Sequence, residues 1–133
     1  MSYEADRLSA EGAFNTGWAS TTPIKYQNVP MADPDGAEFV GFTVLNGPSN
    51  ISSLGGVNTT HRFIGFVQID IYVPENTGTK RARELAETAA VIFRDKRIDA
   101  MLFRQSDITN GAPPPDGYYR LTVTVPFQRD EIF

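Results

Sequence analysis

The chain has no cysteine and a single histidine, His61, among 133 residues. Without thiols there is no disulfide framework, no thiolate metal site and no cysteine nucleophile, and one imidazole falls short of the usual zinc or iron ligand sets. No run of about 18 apolar residues occurs, so nothing in the sequence reads as a membrane-spanning helix. Basic clusters are also missing. No Lys/Arg run exceeds a pair such as Lys80-Arg81 and the net charge is −4, which argues against a phosphate-binding surface as the main activity. The first residues, MSYEADRLSAEG, carry acids and no apolar stretch, so they do not read as a secretory signal and synthesis in the cytoplasm is expected.

What is present is a strand followed by a helix. In Arg62 to Pro74, Val67, Ile69, Ile71 and Val73 alternate with Phe66, Gln68, Asp70 and Tyr72, the period of two that a pleated strand imposes. After Glu75 to Gly78, a helix over about 78–94 gathers Ala82, Leu85, Ala86, Ala89, Ile92 and Phe93 on one stripe. Thr77 is the expected N-cap. A second alternating run, Tyr118 to Phe127, sets Tyr119, Leu121, Val123, Val125 and Phe127 against Tyr118, Arg120, Thr122, Thr124 and Pro126. Its apolar side is expected under the helix. Its other side joins the Phe66, Gln68, Asp70, Tyr72 face, where aromatics mixed with Arg and Thr have the composition of a protein interface.

Three further strands complete the expected sheet: an extended Thr21 to Val29, a strand Glu38 to Leu45 with Val40, Phe42 and Val44 on one face, and a short strand centred on Met101 to Phe103. Residues 3–18 are read as an N-terminal helix presenting Tyr3, Ala10, Phe14 and Trp18, although Gly12 and Gly17 each cost about 1 kcal/mol in a helix interior. The fold class is thus α+β: one domain over residues 1–133, with a mostly antiparallel sheet of four to five strands and both helices on one face. Two loops stand out. Asn46 to Thr60 is rich in Gly, Ser, Asn and Thr and is read as a long projecting hairpin loop with a functional role. Ile108 to Gly117 contains Pro113, Pro114 and Pro115, which forbid helix and central strand.

Catalytic chemistry finds few residues to work with. His61 has no second ligand or partner base nearby in sequence, and nothing brings Asp70 and Asp107 together as a carboxylate pair. Gly55-Gly56 lacks the Lys-Ser/Thr of a phosphate loop, and no Gly-x-Ser-x-Gly elbow occurs. Asn50-Ile51-Ser52 and Asn58-Thr59-Thr60 match the glycosylation tripeptide without a secretory signal to make it meaningful. The expectation is a non-enzyme with no catalytic residue, no metal and no cofactor.

One ordered set of short motifs resembles a known family. Tyr26-Gln27-Asn28-Val29-Pro30 is followed by Leu54-Gly55-Gly56, Gly65, Val73-Pro74, Gly78, Ala82 and Phe93, and then by Asp116-Gly117-Tyr118-Tyr119, Val125-Pro126-Phe127, Arg129 and Asp130. This resembles the tail terminator proteins of long-tailed bacteriophages across about residues 24–130. The N-terminal segment departs from the family's regular helix at Gly12 and Gly17. The resemblance implies a structural subunit of the virion neck that assembles as a hexameric ring on the head-proximal end of the tail tube. Its implied partners are copies of itself, the tail tube protein and a head completion protein, with DNA sliding through the lumen unbound. Asn50, Ile51, Leu54, Gly55, Gly56, Val57 and Asn58, the face residues Phe66, Tyr72, Tyr118 and Arg120, and the axial candidates Pro113, Pro114 and Pro115 are the expected contact residues. Two other readings stay open: a different neck component such as a stopper, and a small-ligand module using a pocket between helix and loop.

Overall fold

A computed structural model describes residues 3–19, 21–29, 36–51, 60–76, 78–110 and 117–132. Its spine is a pair of long strands, β3 (Thr60–Pro74) and β7 (Tyr118–Ile132), joined antiparallel along their whole length from Thr60↔Ile132 to Pro74↔Tyr118. On the other edge of β3 lies β2 (Phe39–Ile51), also antiparallel, and beyond it the short parallel strand β1 (Ile24–Tyr26). The outer edge of β7 carries two three-residue strands, β5 (Met101–Phe103) opposite Phe127 and Gln128, and β6 (Asp107–Thr109) opposite Thr122 to Thr124. The two-residue β4 (Arg97–Ile98) closes that side, so the sheet reads β1-β2-β3-β7-β5-β4 with β6 branching from β7.

The alternation seen in the sequence becomes the core. Val40, Phe42, Val44, Val67, Ile69, Ile71, Val73, Leu121, Val123, Val125 and Phe127 are all buried beneath the helices. Helix α2 (Lys80–Phe93) meets them with Ala82, Leu85, Ala86, Ala89, Ala90 and Phe93. Its four buried alanines keep the stripe thin and let the helix axis sit close to the sheet. Helix α1 (Tyr3–Trp18) packs beside α2 and over β2, burying Asp6, Ala10, Phe14 and Trp18 at intervals of four residues. Gly17 earns its place by proximity: a Cβ there would lie 2.9 Å from Ile92 Cγ1 on α2. A chain of rings then crosses the core, with Phe14 against Phe42 at 4.8 Å, Phe42 against Phe93 at 5.9 Å and Phe93 against Phe103 at 4.9 Å. Trp18 Nε1 donates to Thr22 Oγ1 at 3.1 Å, satisfying the one polar atom of that buried indole.

Several expectations need correction. The sheet has seven strands and not four to five, because β4 and β6 are pieces of two and three residues that show no periodicity of their own. Ile108 and Thr109, assigned to the proline loop, belong to β6. The Asn46 to Thr60 loop is shorter than expected, since β2 continues to Ile51 and pairs with His61. A register shift between Asn46 and Ser49 absorbs Gly47 and Pro48, the position where a residue lacking N–H is tolerated. Tyr3 is 48% exposed and its place in the buried stripe is taken by Asp6. The N-cap position of α2 is Thr79, which makes no side-chain cap, while Thr77 lies outside the described residues.

Candidate assembly surface

The face of the sheet away from the helices is built rung by rung. Phe39, Tyr72 and Arg120 share one rung across β2, β3 and β7, and Gly41, Asp70 and Thr122 share the next. Phe39 stacks on Tyr72 at 4.5 Å, and Tyr118 meets both rings edge-on at 5.3 and 6.2 Å. The Arg120 guanidinium stands 5.9 Å from the Tyr72 centroid, and its Nη1 donates to the Tyr72 hydroxyl at 3.4 Å. Tyr118 in turn donates to the Ala37 carbonyl at 3.3 Å. One rung along, Thr122 Oγ1 donates to Asp70 Oδ1 at 2.8 Å and Gln68 Nε2 approaches the same carboxylate at 3.3 Å.

These contacts hold a half-buried aromatic cluster in place before any partner arrives. Such rings bring large apolar area at low entropic cost, which suits an interface. Beside them, the missing side chain of Gly41 leaves a shallow cleft of about 330 Å³ lined by Lys25, Tyr26, Phe39, Asp70 and Tyr72. Burial raises the Tyr26 phenol above its usual value, so it stays protonated and able to donate throughout the neutral range.

Of the expected contact residues, Tyr72, Tyr118 and Arg120 come together as one patch. Phe66 does not join them; it sits on the Leu45↔Phe66↔Pro126 rung beside a second depression of about 390 Å³. Asn50 and Ile51 lie in β2, paired with Arg62 and His61. Leu54, Gly55, Gly56, Val57, Asn58, Pro113, Pro114 and Pro115 fall outside the described residues. Phe39 was missed, although its place at the start of the Val40, Phe42, Val44 alternation already assigns it to the opposite face. No group of three or more His, Asp or Glu capable of holding a metal occurs among the described residues.

A second missed feature ties the chain ends together. Arg129 and Asp6 are buried to within 1% and form an ion pair, with Nε donating to the two carboxylate oxygens at 2.8 and 3.0 Å. The guanidinium also lies 4.4 Å over the Phe63 ring, which Tyr3 meets edge-on at 5.7 Å. The signal was in the sequence. Arg129 continues the inward alternation past Phe127, and Asp6 stands four residues before Ala10. At the surface, Arg62 bridges Asp130 at 2.9 Å and Arg81 bridges Glu38 at 2.7 Å. Each arginine's hydrogen bond holds its partner carboxyl below the usual carboxylate range.

The class these features define is a small α+β protein whose most ordered exposed feature is a sheet face of stacked rings. Comparison with known proteins then places it. The family described as "Phage tail terminator protein" matches residues 7–127, and the chain belongs to that family. Its role is therefore a structural one in a phage tail, in contact with other tail or neck proteins. No curated protein matches. A solved structure titled only with a sequence identifier covers 97% of this chain and 96% of its own length, at a TM-score of 0.70 and 15% identity, a likeness of fold alone. Among the described residues no helix is long and apolar enough to cross a membrane.

Proposed function

We propose that this chain is one domain, the subunit of a hexameric ring that seats on the head-proximal end of the tail tube, halts tube polymerisation and presents the surface to which the head is joined. The observation that carries the reading is the family match over residues 7–127. The sheet face supports it, because Phe39, Tyr72, Tyr118 and Arg120 offer neighbouring subunits a preorganised patch, and closed rings arise from heterologous contacts that meet after a fixed rotation. A net charge of −4 suits a lumen through which DNA slides, since like charge gives phosphates no place to stick. The segment 50–58 is the arm expected to reach a neighbour, and the proline segment 110–117 the axial contact.

Electron microscopy of particles made without this protein tests the assignment. Overlong tails are expected. Tails of normal length that fail to attach to heads would transfer the role to a stopper protein and overturn the terminator reading. In a companion test, replacing residues 50–58 by a short Gly/Ser link is expected to leave a folded monomer that neither caps tubes nor closes rings.

A further inference from the structure

Each long strand pair ends in an edge that nothing among the described residues covers. Strand β1 reaches β2 only as far as Phe42, leaving Val44 to Ile51 without an outer strand among the described residues. On the other side, β5 and β6 pair with β7 only between Thr122 and Gln128, leaving Asp130 to Ile132 without an outer strand among the described residues. Both free edges lie at the same end of the sheet, flanking the last rungs of β3 from Thr60 to Phe63.

The direction of the backbone groups follows from the hydrogen bonds. Arg104 donates to the Pro126 carbonyl at 2.9 Å, so even-numbered residues of β7 direct their N–H and C=O away from β3, and Asp130 and Ile132 do so with no strand beside them. Val40 donates to the Pro23 carbonyl at 3.1 Å, so even-numbered residues of β2 face outward as far as Asn46. Past the register shift the parity inverts, and Ser49 and Ile51 face outward. Because β2 and β7 are both antiparallel to β3, they run in the same direction.

We propose that neighbouring copies of this chain join by strand addition, the outer edge of β2 (Asn46 to Ile51) in one subunit pairing in parallel with the outer edge of β7 (Asp130 to Ile132) in the next. The proposal rests on the ring reading above and names its contact. A cyclic ring points every subunit the same way, which makes the β2-to-β7 junction parallel; a two-fold pairing of β2 with β2 would be antiparallel and would turn the arms in opposite directions. Continuing round the ring covers both of these bare edges in every subunit, one way proteins avoid uncontrolled edge pairing. The bulge at Gly47 and Pro48 and the Arg62–Asp130 bridge keep each free edge short and charged, so that a single junction is weak and only the closed set holds.

Two proline variants test this, since proline removes one outward N–H and leaves the pairing to β3 intact. Ile51→Pro disables the β2 edge and Ile132→Pro the β7 edge; circular dichroism and thermal melting confirm that each folds. Under conditions in which the wild-type chain forms rings, alone or on tube ends, each variant alone is expected to run as a monomer of 14.7 kDa. Mixed in equal amounts they retain one good edge of each kind and are expected to stop at heterodimers. Self-association of Ile132→Pro alone into dimers, or rings from either variant, overturns the proposal. A second measurement needs no variant. Amide hydrogen exchange at Asn46, Ile51, Asp130 and Ile132 is expected to slow at least tenfold on ring formation, while buried β3 amides barely change. Wild-type rings in which those edge amides exchange as fast as in the monomer sink the strand addition and leave the ring standing. A wild-type chain that forms no ring with or without tubes sinks both.

Discussion

The two faces of one sheet have the same strands, the same twist and the same rungs, yet opposite chemistry. Beneath the helices, Ile69, Ile71, Val73 and Val123 are fully buried among aliphatic and aromatic neighbours. On the open side, Arg120 hydrogen-bonds Tyr72 and the buried Thr122 hydrogen-bonds Asp70, while Tyr72, Arg120 and Asp70 stay part-exposed. The first face stabilises the fold by removing apolar area from water, about 1.5–3 kcal/mol for each large aliphatic side chain. The second leaves part of its aromatic area in contact with water, a gain that the proposed assembly would collect. Under the proposed function, stability and assembly fall to separate surfaces of a single element, so substitutions on the two faces ought to have separable consequences.

The sharpest way to break this division is at the buried charged contact on the helix side, Asp6 with Arg129. Asp6→Ala strands the Arg129 guanidinium in a dry environment and is expected to cost about 3–5 kcal/mol in urea unfolding. Replacing both partners by Leu and Met is expected to recover most of the loss, because the pair's desolvation offsets much of its attraction. Next in size, Ile69→Ala opens a cavity between β3 and α2 and is expected to cost about 2–5 kcal/mol. Gly65→Ala follows at about 1–3 kcal/mol, as its Cβ would press on the Leu45 carbonyl and the Phe127 ring, at 2.8 Å from the latter. By contrast, Tyr72→Ala on the open face is expected to cost only about 1 kcal/mol, the worth of its ring contacts, while abolishing assembly on tube ends as judged by sedimentation. A Tyr72→Ala chain that still assembles normally would erase the distinction between the faces.

The smallest effect is electrostatic. Glu38 and Asp130 have lowered pKa values because Arg81 and Arg62 hydrogen-bond their ionised forms. Groups depressed in the fold contribute stability above their unfolded pKa and lose it as pH falls through the lower folded value. Both pairs are partly exposed, so solvent and salt screen them and each contributes little. A melting temperature that drops modestly below pH of about 4, and drops less in Arg81→Gln, is the expected outcome.

How much of this was legible in the residues depended on length and periodicity. β3, α2 and β7 each sustain their pattern over ten or more positions, and the open face with Tyr72, Tyr118 and Arg120 followed from them directly. Strands β4 and β6 hold two and three residues and take their conformation from the edge of β7, so no local signal marks them. The Asn46 to Ile51 half of β2 was hidden by its Gly, Pro, Ser and Asn content. Backbone pairing with β3 overrides that composition, with one bulge as the cost. The Asp6–Arg129 pair carries no apolar letter and so leaves no mark in the hydrophobic pattern, although both residues fall in register with the buried stripes.

The most direct test of the central claim, that the open face and edges of this sheet serve self-association, is the native mass of the species released from capped tail tubes. A hexamer of the 14.7 kDa chain is the predicted result. A single chain bound to each tube end would contradict it.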